Sequence, residues 1–170
     1  RLLLVISDRG QVKLVRRDGT IRDLHLDFMA YDPGENPVEH RARFEDDTTL
    51  TCLAISPDDS LLAIGTARGR CLLFCLQDED VPLIRHYVPD SDLGPVVTID
   101  YNYCKYNMSV THETKVLIFD LEHKHMIASF GDETESRTGN VGPTIQYGRY
   151  CLDHFITLNP SGVQVRQLVG

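Results

Sequence analysis

Apolar and polar residues alternate along most of the chain in short runs, and turn-forming residues separate these runs. In residues 51–76, TCLAISPDDSLLAIGTARGRCLLFCL, the pattern predicts three strands, the first ending at a Ser-Pro-Asp turn. The second and third are joined through Gly69, which can adopt the positive φ of a tight hairpin turn. Residues 81–88 supply a fourth strand, and helical periodicity is weak everywhere.

The same strand–turn–strand unit recurs on both sides of this stretch. Four antiparallel strands in roughly 40 residues are typical of one blade of a β-propeller. We therefore divide the single domain, residues 1–170, into five segments. They are a partial blade at 1–29, a polar acidic insert at 30–47, blades at 48–88 and 93–131, and a partial blade at 142–170.

Alternation also predicts which side chains pack between neighbouring sheets, because successive strand residues face opposite sides. No blade can bury both of its faces alone, so each depends on its neighbours. The residues expected in these contacts are Leu53, Ile55, Leu62, Ile64, Val97, Ile99, Val116, Ile118 and Ile145.

The stretch LTCLAISPDDSLLAIGTARGRCLLFCL resembles the inner strand, turn and outer strands of the WD-repeat β-propeller family. That family joins a turn Asp, a Ser or Thr, a His and a Trp in a buried polar tetrad. The chain contains no Trp, so the resemblance is to a degenerate form. The turn-Asp positions hold Arg9, Arg68, Glu113 and Pro160, and the Trp positions hold Val15, Phe74, Phe119 and Arg166.

The resemblance implies an all-β fold of four-stranded antiparallel blades in an incomplete ring of about three to four blades, because a closed propeller needs about four to eight. The first partial blade lacks an inner strand, and the last lacks an outer strand. We therefore expect a segment of a longer propeller, or one that another chain completes.

Composition narrows the functional classes. The formal net charge is −8, which argues against direct binding of nucleic acid, and no apolar run is long enough to insert into a membrane. The five cysteines form no Cys-x-x-Cys pair, and we interpret them as buried, reduced thiols. With no secretory signal visible, an intracellular location is expected, either cytoplasmic or nuclear.

Catalytic and cofactor motifs are absent from the sequence: it has no phosphate-binding glycine loop and no G-x-S-x-G elbow. His123 and His125 are interpreted as turn residues, with a metal pair as the alternative. Asp153-His154 is likewise assigned to a turn rather than to a catalytic pair. Three tyrosines are assigned to packing, with a ligand platform as the alternative, namely Tyr101, Tyr103 and Tyr106. No cofactor or metal is predicted.

The loops between blades are rich in acidic residues, and in a propeller they share one face with the turns of the middle hairpins. We predict a non-enzymatic protein-interaction scaffold within a multi-subunit assembly, binding other proteins, basic segments among them, through this face. The predicted partner-binding residues are Arg9, Arg68, Asp46, Asp47, Asp90, Asp92, Glu133 and Glu135. The alternatives are loops that only maintain solubility, a propeller-type enzyme, and a phosphopeptide or small-ligand module using Arg9 and Arg68.

Overall fold

The structure is a computed structural model, and it contains only strands and turns in the residues that it describes. Every strand pairs antiparallel with the strand before or after it in the chain, so each sheet is a simple meander. The described residues contain no helix that could span a membrane. The described ranges are 3–6, 11–26, 49–89, 93–102, 106–123, 125–131, 145–151 and 153–168.

Four sheets follow one another along the chain. Sheet one contains β1 (Leu3–Ile6), β2 (Val12–Val15) and β3 (Ile21–Leu24). Sheet two contains β4 (Leu50–Ile55), β5 (Leu61–Thr66), β6 (Cys71–Cys75) and β7 (Leu83–Tyr87). Sheet three contains β8 (Val96–Asn102), β9 (Asn107–His112), β10 (Lys115–Asp120) and β11 (His125–Gly131). Sheet four contains β12 (Tyr147–Cys151), β13 (His154–Asn159) and β14 (Gly162–Gln167).

The predicted fold class is confirmed: the described residues are all-β and form two four-stranded and two three-stranded antiparallel sheets in an open array. Side-chain hydrogen bonds stabilise the turn between β4 and β5, which was predicted from its Ser-Pro-Asp sequence. The Asp58 carboxylate accepts hydrogen bonds from the hydroxyl groups of Ser56 and Ser60, at 2.6 and 2.7 Å. Asp59 adopts a φ of 59°, a conformation that aspartate tolerates better than most residues.

Sheet two shows how alternation builds the core, because it is buried on both faces. Leu62 and Phe74 point toward sheet one, where they pack with Val12. Ala63 and Leu73 point the other way, into a cluster shared with sheet three. Burying a side chain of this size contributes about 1.5–3 kcal/mol, so the stability of each sheet depends on its neighbours.

Most residues expected between the sheets are buried. They are Leu62, Ile64, Ile99, Val116, Ile118 and Ile145. The exceptions, Leu53, Ile55 and Val97, are only half-buried. These three lie on β4 and β8, which are edge strands of their sheets and therefore have a paired strand on one side only.

Two glycines show how tightly the sheets pack. A Cβ atom on Gly65 would lie 2.6 Å from Cγ1 of Val96, across the contact between sheets two and three. A Cβ atom on Gly148 would lie 2.3 Å from Oγ1 of Thr111, across the contact between sheets three and four. Gly65 and Thr111 occupy matching positions, each paired with the residue that follows a bulge in the inner strand. At the first contact the glycine lies in sheet two and the larger Val96 lies in the sheet that follows. At the second contact the larger Thr111 lies in sheet three and the glycine lies in the sheet that follows.

Candidate functional site

The turn of the β5–β6 hairpin meets the segment that links sheets two and three. Gly69 and Gly94 both have positive φ, at 83° and 75°. A Cβ atom on Gly69 would lie 2.8 Å from the carbonyl oxygen of Gly94, so only glycine allows this approach without a shift of the backbone. The Gly69 turn predicted from the sequence is thus confirmed, and it contacts the next linker.

Side chains from sheet three hold the same linker. The His112 ring donates a hydrogen bond from Nδ1 to the Gly94 carbonyl oxygen, at 3.2 Å. The Thr114 hydroxyl donates to the carbonyl oxygen of Leu93, at 3.4 Å. Both side chains belong to the end of β9 or to the β9–β10 turn, so the linker is tied to that hairpin.

Two backbone contacts extend the pattern to the neighbouring linkers. The amide of Ala67 donates to the carbonyl oxygen of Thr49, which precedes β4, at 3.0 Å. The amide of Ile145, which precedes β12, donates to the carbonyl oxygen of Glu113, at 2.6 Å. The middle-hairpin turns of sheets two and three therefore share one edge of the array with the linkers that they contact, as expected from the sequence. We call this edge the loop rim and define it by residues 49, 67–69, 93–94, 112–114 and 145.

His112 is the buried titratable group of the loop rim, with 1% of its surface exposed. Burial lowers the pKa of this imidazole, and the bond to the Gly94 carbonyl opposes that shift only in part. Because a carbonyl can only accept, Nδ1 carries the proton, and the neutral ring keeps a lone pair on Nε2. His112 therefore positions the linker without adding charge to the rim.

Arg68 lies exposed in the β5–β6 turn, on the loop rim where the sequence places it. The other predicted partner-binding residues lie outside the described residues, so the predicted acidic character of this face stays a prediction. They are Arg9, Asp46, Asp47, Asp90, Asp92, Glu133 and Glu135.

Below the rim, a cavity of about 370 Å³ opens between sheets two and three. We call it the inter-sheet groove. Its size lies at the lower end of the range for ligand pockets, about 300–1,000 Å³. Gly69 and His112 line it at the rim, which joins the two features. The apolar lining includes Tyr87, Val88, Pro89, Leu117, Phe119 and Met126, and the polar lining includes His86, Lys115 and Ser129.

Tyr87 and Phe119 form the aromatic centre of the groove, with ring centroids 4.1 Å apart and planes tilted by 37°. The Tyr87 hydroxyl is buried and has no hydrogen-bond partner among the described residues. Burial raises the pKa of this hydroxyl to about 12, so it stays protonated and can act as a donor at neutral pH.

Of the histidine pair considered for metal binding, His123 lies exposed in the β10–β11 turn, as predicted, whereas His125 is exposed as the first residue of β11. The ring of His123 lies 2.7 Å from the Asp120 carboxylate, and the rings of His123 and His125 are 6.0 Å apart. The Asp120 contact raises the pKa of exposed His123, and hydrogen bonds from His123 lower that of Asp120. Within the described ranges, no group of three or more His, Cys, Asp or Glu side chains could hold a metal ion.

The remaining sequence candidates are dispersed. Asp153 and His154 are both exposed at the β12–β13 turn. Tyr101 is buried in the core with 5% exposure, Tyr106 is 51% exposed, and Tyr103 lies outside the described residues. The expectation of buried cysteines holds for Cys71 but is wrong for Cys151, because β12 turns that side chain to an open face.

The sequence reasoning missed Arg70, which is fully buried with 0% exposure. Its amide donates to the hydroxyl oxygen of Thr66 at 3.0 Å, closing the β5–β6 turn. The alternation that buries Leu72 and Phe74 also places Arg70 on their face, so the pattern contained the signal. The sequence did not indicate the inter-sheet groove either, because residues of two separate sheets form its walls.

No protein-family model and no curated protein matches the sequence. Solved structures do match in fold. A chain of a mitotic checkpoint complex superimposes with a TM-score of 0.69 at 13% identity, over 99% of this chain and 44% of that one. The β-propeller domain of Cps50 (Swd1) from Myceliophteria thermophila gives 0.58 at 12% identity, over 71% of this chain and 35% of that one.

The chain therefore spans less than half the length of either structure. At such low identity the likeness concerns the fold alone, and at that level the predicted propeller resemblance is confirmed. The four sheets of this chain adopt the arrangement of part of a β-propeller.

Proposed function

We propose that this chain is a non-enzymatic interaction scaffold, part of a propeller subunit in a multi-protein assembly, and that it binds protein partners through the loop rim. One observation carries the proposal: turns and linkers are tied together at one edge, where exposed Arg68 is next in the chain to Gly69, a residue that lines the inter-sheet groove. Such an edge presents recognition loops on a rigid base. The structural neighbours include a β-propeller domain and a chain of a complex.

Three of the described groups with shifted pKa values support a structural role. His112 holds the linker at Gly94, and Asp100 accepts the Tyr150 amide at 2.8 Å. Asp120 accepts the backbone amide of His123 at 3.0 Å, which closes a turn. Each of these three groups is hydrogen-bonded to backbone of its own chain, which favours a structural role, and His112 has this role at the edge of the inter-sheet groove.

The expectation that the partner is basic is based on the sequence alone. Acidic linkers would steer a basic segment toward the rim and speed its association at low ionic strength. The proposed partners also include the blades that complete the ring, in a longer polypeptide or in another chain.

Quantitative affinity purification from the native cell tests the proposal. The tagged protein carrying Arg68→Glu should lose co-purifying subunits that the wild type retains, and reversal of Asp46, Asp47, Glu133 and Glu135 to lysine should weaken capture further. Asp78→Lys is the matched control, because this exposed residue lies in the β6–β7 turn, at the opposite end of β6 from the rim. Equal recovery from the rim variants and the control would contradict the proposal.

A further inference from the structure

We infer that the inter-sheet groove binds a peptide segment that inserts an apolar side chain between sheets two and three and places a carboxylate beside Lys115. This inference rests on the proposed interaction function and gives the groove a partner chemistry of its own. It differs from the expectation for the acidic linkers, which favour a basic segment.

The groove is shaped for an apolar anchor. Its centre is the Tyr87–Phe119 pair, flanked by Leu117 and by Met126. Met126 is 51% exposed, so its flexible side chain can close over an inserted group. Aromatic and thioether groups of this kind recur at protein-binding surfaces.

The charge of the groove favours an anion. Among the described residues that line the groove, Lys115 is the only lysine or arginine, and none is an aspartate or glutamate. Within the described residues, its ammonium group has no ion-pair partner. His112 also lines the groove, but burial keeps its ring neutral. A basic ligand would thus meet Lys115 without a counter-ion, whereas a carboxylate would pair with it.

Tyr87 contributes its ring to the groove, whereas its hydroxyl is buried and has no hydrogen-bond partner among the described residues. The polar contact that would orient a peptide at the groove is therefore Lys115.

Access from the loop rim connects the groove to the proposed function. Gly69 and His112 belong to both features, so a segment held by the rim loops can pass directly into the groove. An extended peptide that follows this path would contact the rim with one end and the aromatic centre with the other.

Nuclear magnetic resonance titration of the ¹⁵N- and methyl-labelled full chain tests this inference. The probes are three blocked dipeptides, acetyl-Phe-Glu-amide, acetyl-Phe-Gln-amide and acetyl-Phe-Lys-amide. We expect shifts at Tyr87, Leu117 and Met126, and an affinity for the Glu probe roughly two- to fivefold above that for the Gln probe, as for a partly exposed ion pair. Lys115→Met should reduce the Glu affinity to the Gln level.

Equal binding of the Glu and Gln probes, preference for the Lys probe, or shifts outside the groove would each overturn the inference. An unchanged amide spectrum away from residue 115 confirms that Lys115→Met is folded. The affinity purification with Arg68→Glu reports on the rim alone. If the probes do not bind in the groove but Arg68→Glu loses co-purifying subunits, only the inference about the groove ligand is refuted. If the probes bind in the groove but Arg68→Glu retains its subunits, only the rim proposal is refuted.

Discussion

The outward faces of sheets three and four carry the same pattern but have opposite surroundings. In sheet three, Val116 and Ile118 on the third strand are 0% and 2% exposed, because sheet four covers them. At the matching positions of sheet four, Val163 and Val165 are 62% and 60% exposed. The residues are β-branched in both places, so the difference comes from the neighbouring sheet and not from the strand itself.

The two faces also differ in what their side chains contact. On the covered face, the Thr98 hydroxyl donates to the Gly148 carbonyl at 3.0 Å and accepts the Gly148 amide at 3.1 Å. Sheet four instead exposes a cross-strand row of Tyr147, Leu158 and Val163, which are 44%, 41% and 62% exposed. A row of this kind is typical of a contact surface between sheets, and it supports the proposal that further blades complete the ring.

The largest expected effect comes from overfilling the covered contact. Gly148→Val would place a side chain against Oγ1 of Thr111 and within 3.0 Å of the Phe155 ring. Overpacking at such a site costs up to about 3 kcal/mol, and we expect the free energy of unfolding, measured in urea, to fall by that amount.

A second substitution sharpens this test. Adding Thr111→Gly to Gly148→Val recreates the glycine–valine arrangement of Gly65 and Val96 at the preceding contact, and part of the lost stability should return. A double variant no more stable than the single one would show that the two contacts are not equivalent.

An effect of intermediate size comes from making the same valine-to-alanine substitution on the covered face and on the exposed face, which compares the two faces directly. Val116→Ala removes buried methyl groups and should cost about 2 kcal/mol. Val163→Ala on the exposed face should change stability by no more than about 0.5 kcal/mol. Urea unfolding at two protein concentrations provides the measurement. If both variants lose the same free energy of unfolding, and if the losses grow with protein concentration, self-association covers the fourth sheet in solution.

The covered and open faces also show what could be predicted from the sequence. Alternation and turn residues were enough to predict the second strand within residues 51–76, which is β5 (Leu61–Thr66) in the structure, and the positive φ of Gly69. Alternation assigns a residue to a face, but it does not reveal whether another sheet covers that face. Val116 and Val163 therefore look alike in the sequence and differ in the structure.

The candidate site was less predictable for a related reason. The rim turn containing Arg68 followed from local turn chemistry. The groove required Tyr87 from sheet two to meet Phe119 from sheet three, a contact between residues distant in the chain. The predicted acidic residues lie outside the described ranges, so their contribution still rests on composition.

The smallest expected effect concerns a carboxylate at the covered contact. Burial raises the pKa of Asp100 above its ordinary value of 3.8, although the Tyr150 amide opposes this shift. The folded state therefore holds the proton more tightly than the unfolded state. Stability from this group is greatest below pH 3.8 and falls as pH rises through the folded-state pKa. Asp100→Asn keeps an oxygen acceptor for Tyr150, so at pH 7 it should be as stable as the wild type or slightly more stable.

Asp58 is the matched control, because hydrogen bonds from Ser56 and Ser60 lower its pKa. Its contribution has the opposite sign: it is present above pH 3.8 and is lost as pH falls through the folded-state pKa. Urea unfolding between pH 3 and pH 7 should therefore give opposite changes in slope for Asp100→Asn and Asp58→Asn. A loss of stability at pH 7 in Asp100→Asn would mean that the charge itself holds β8 to β12, and the covered contact would then depend on an ionised group rather than on close packing.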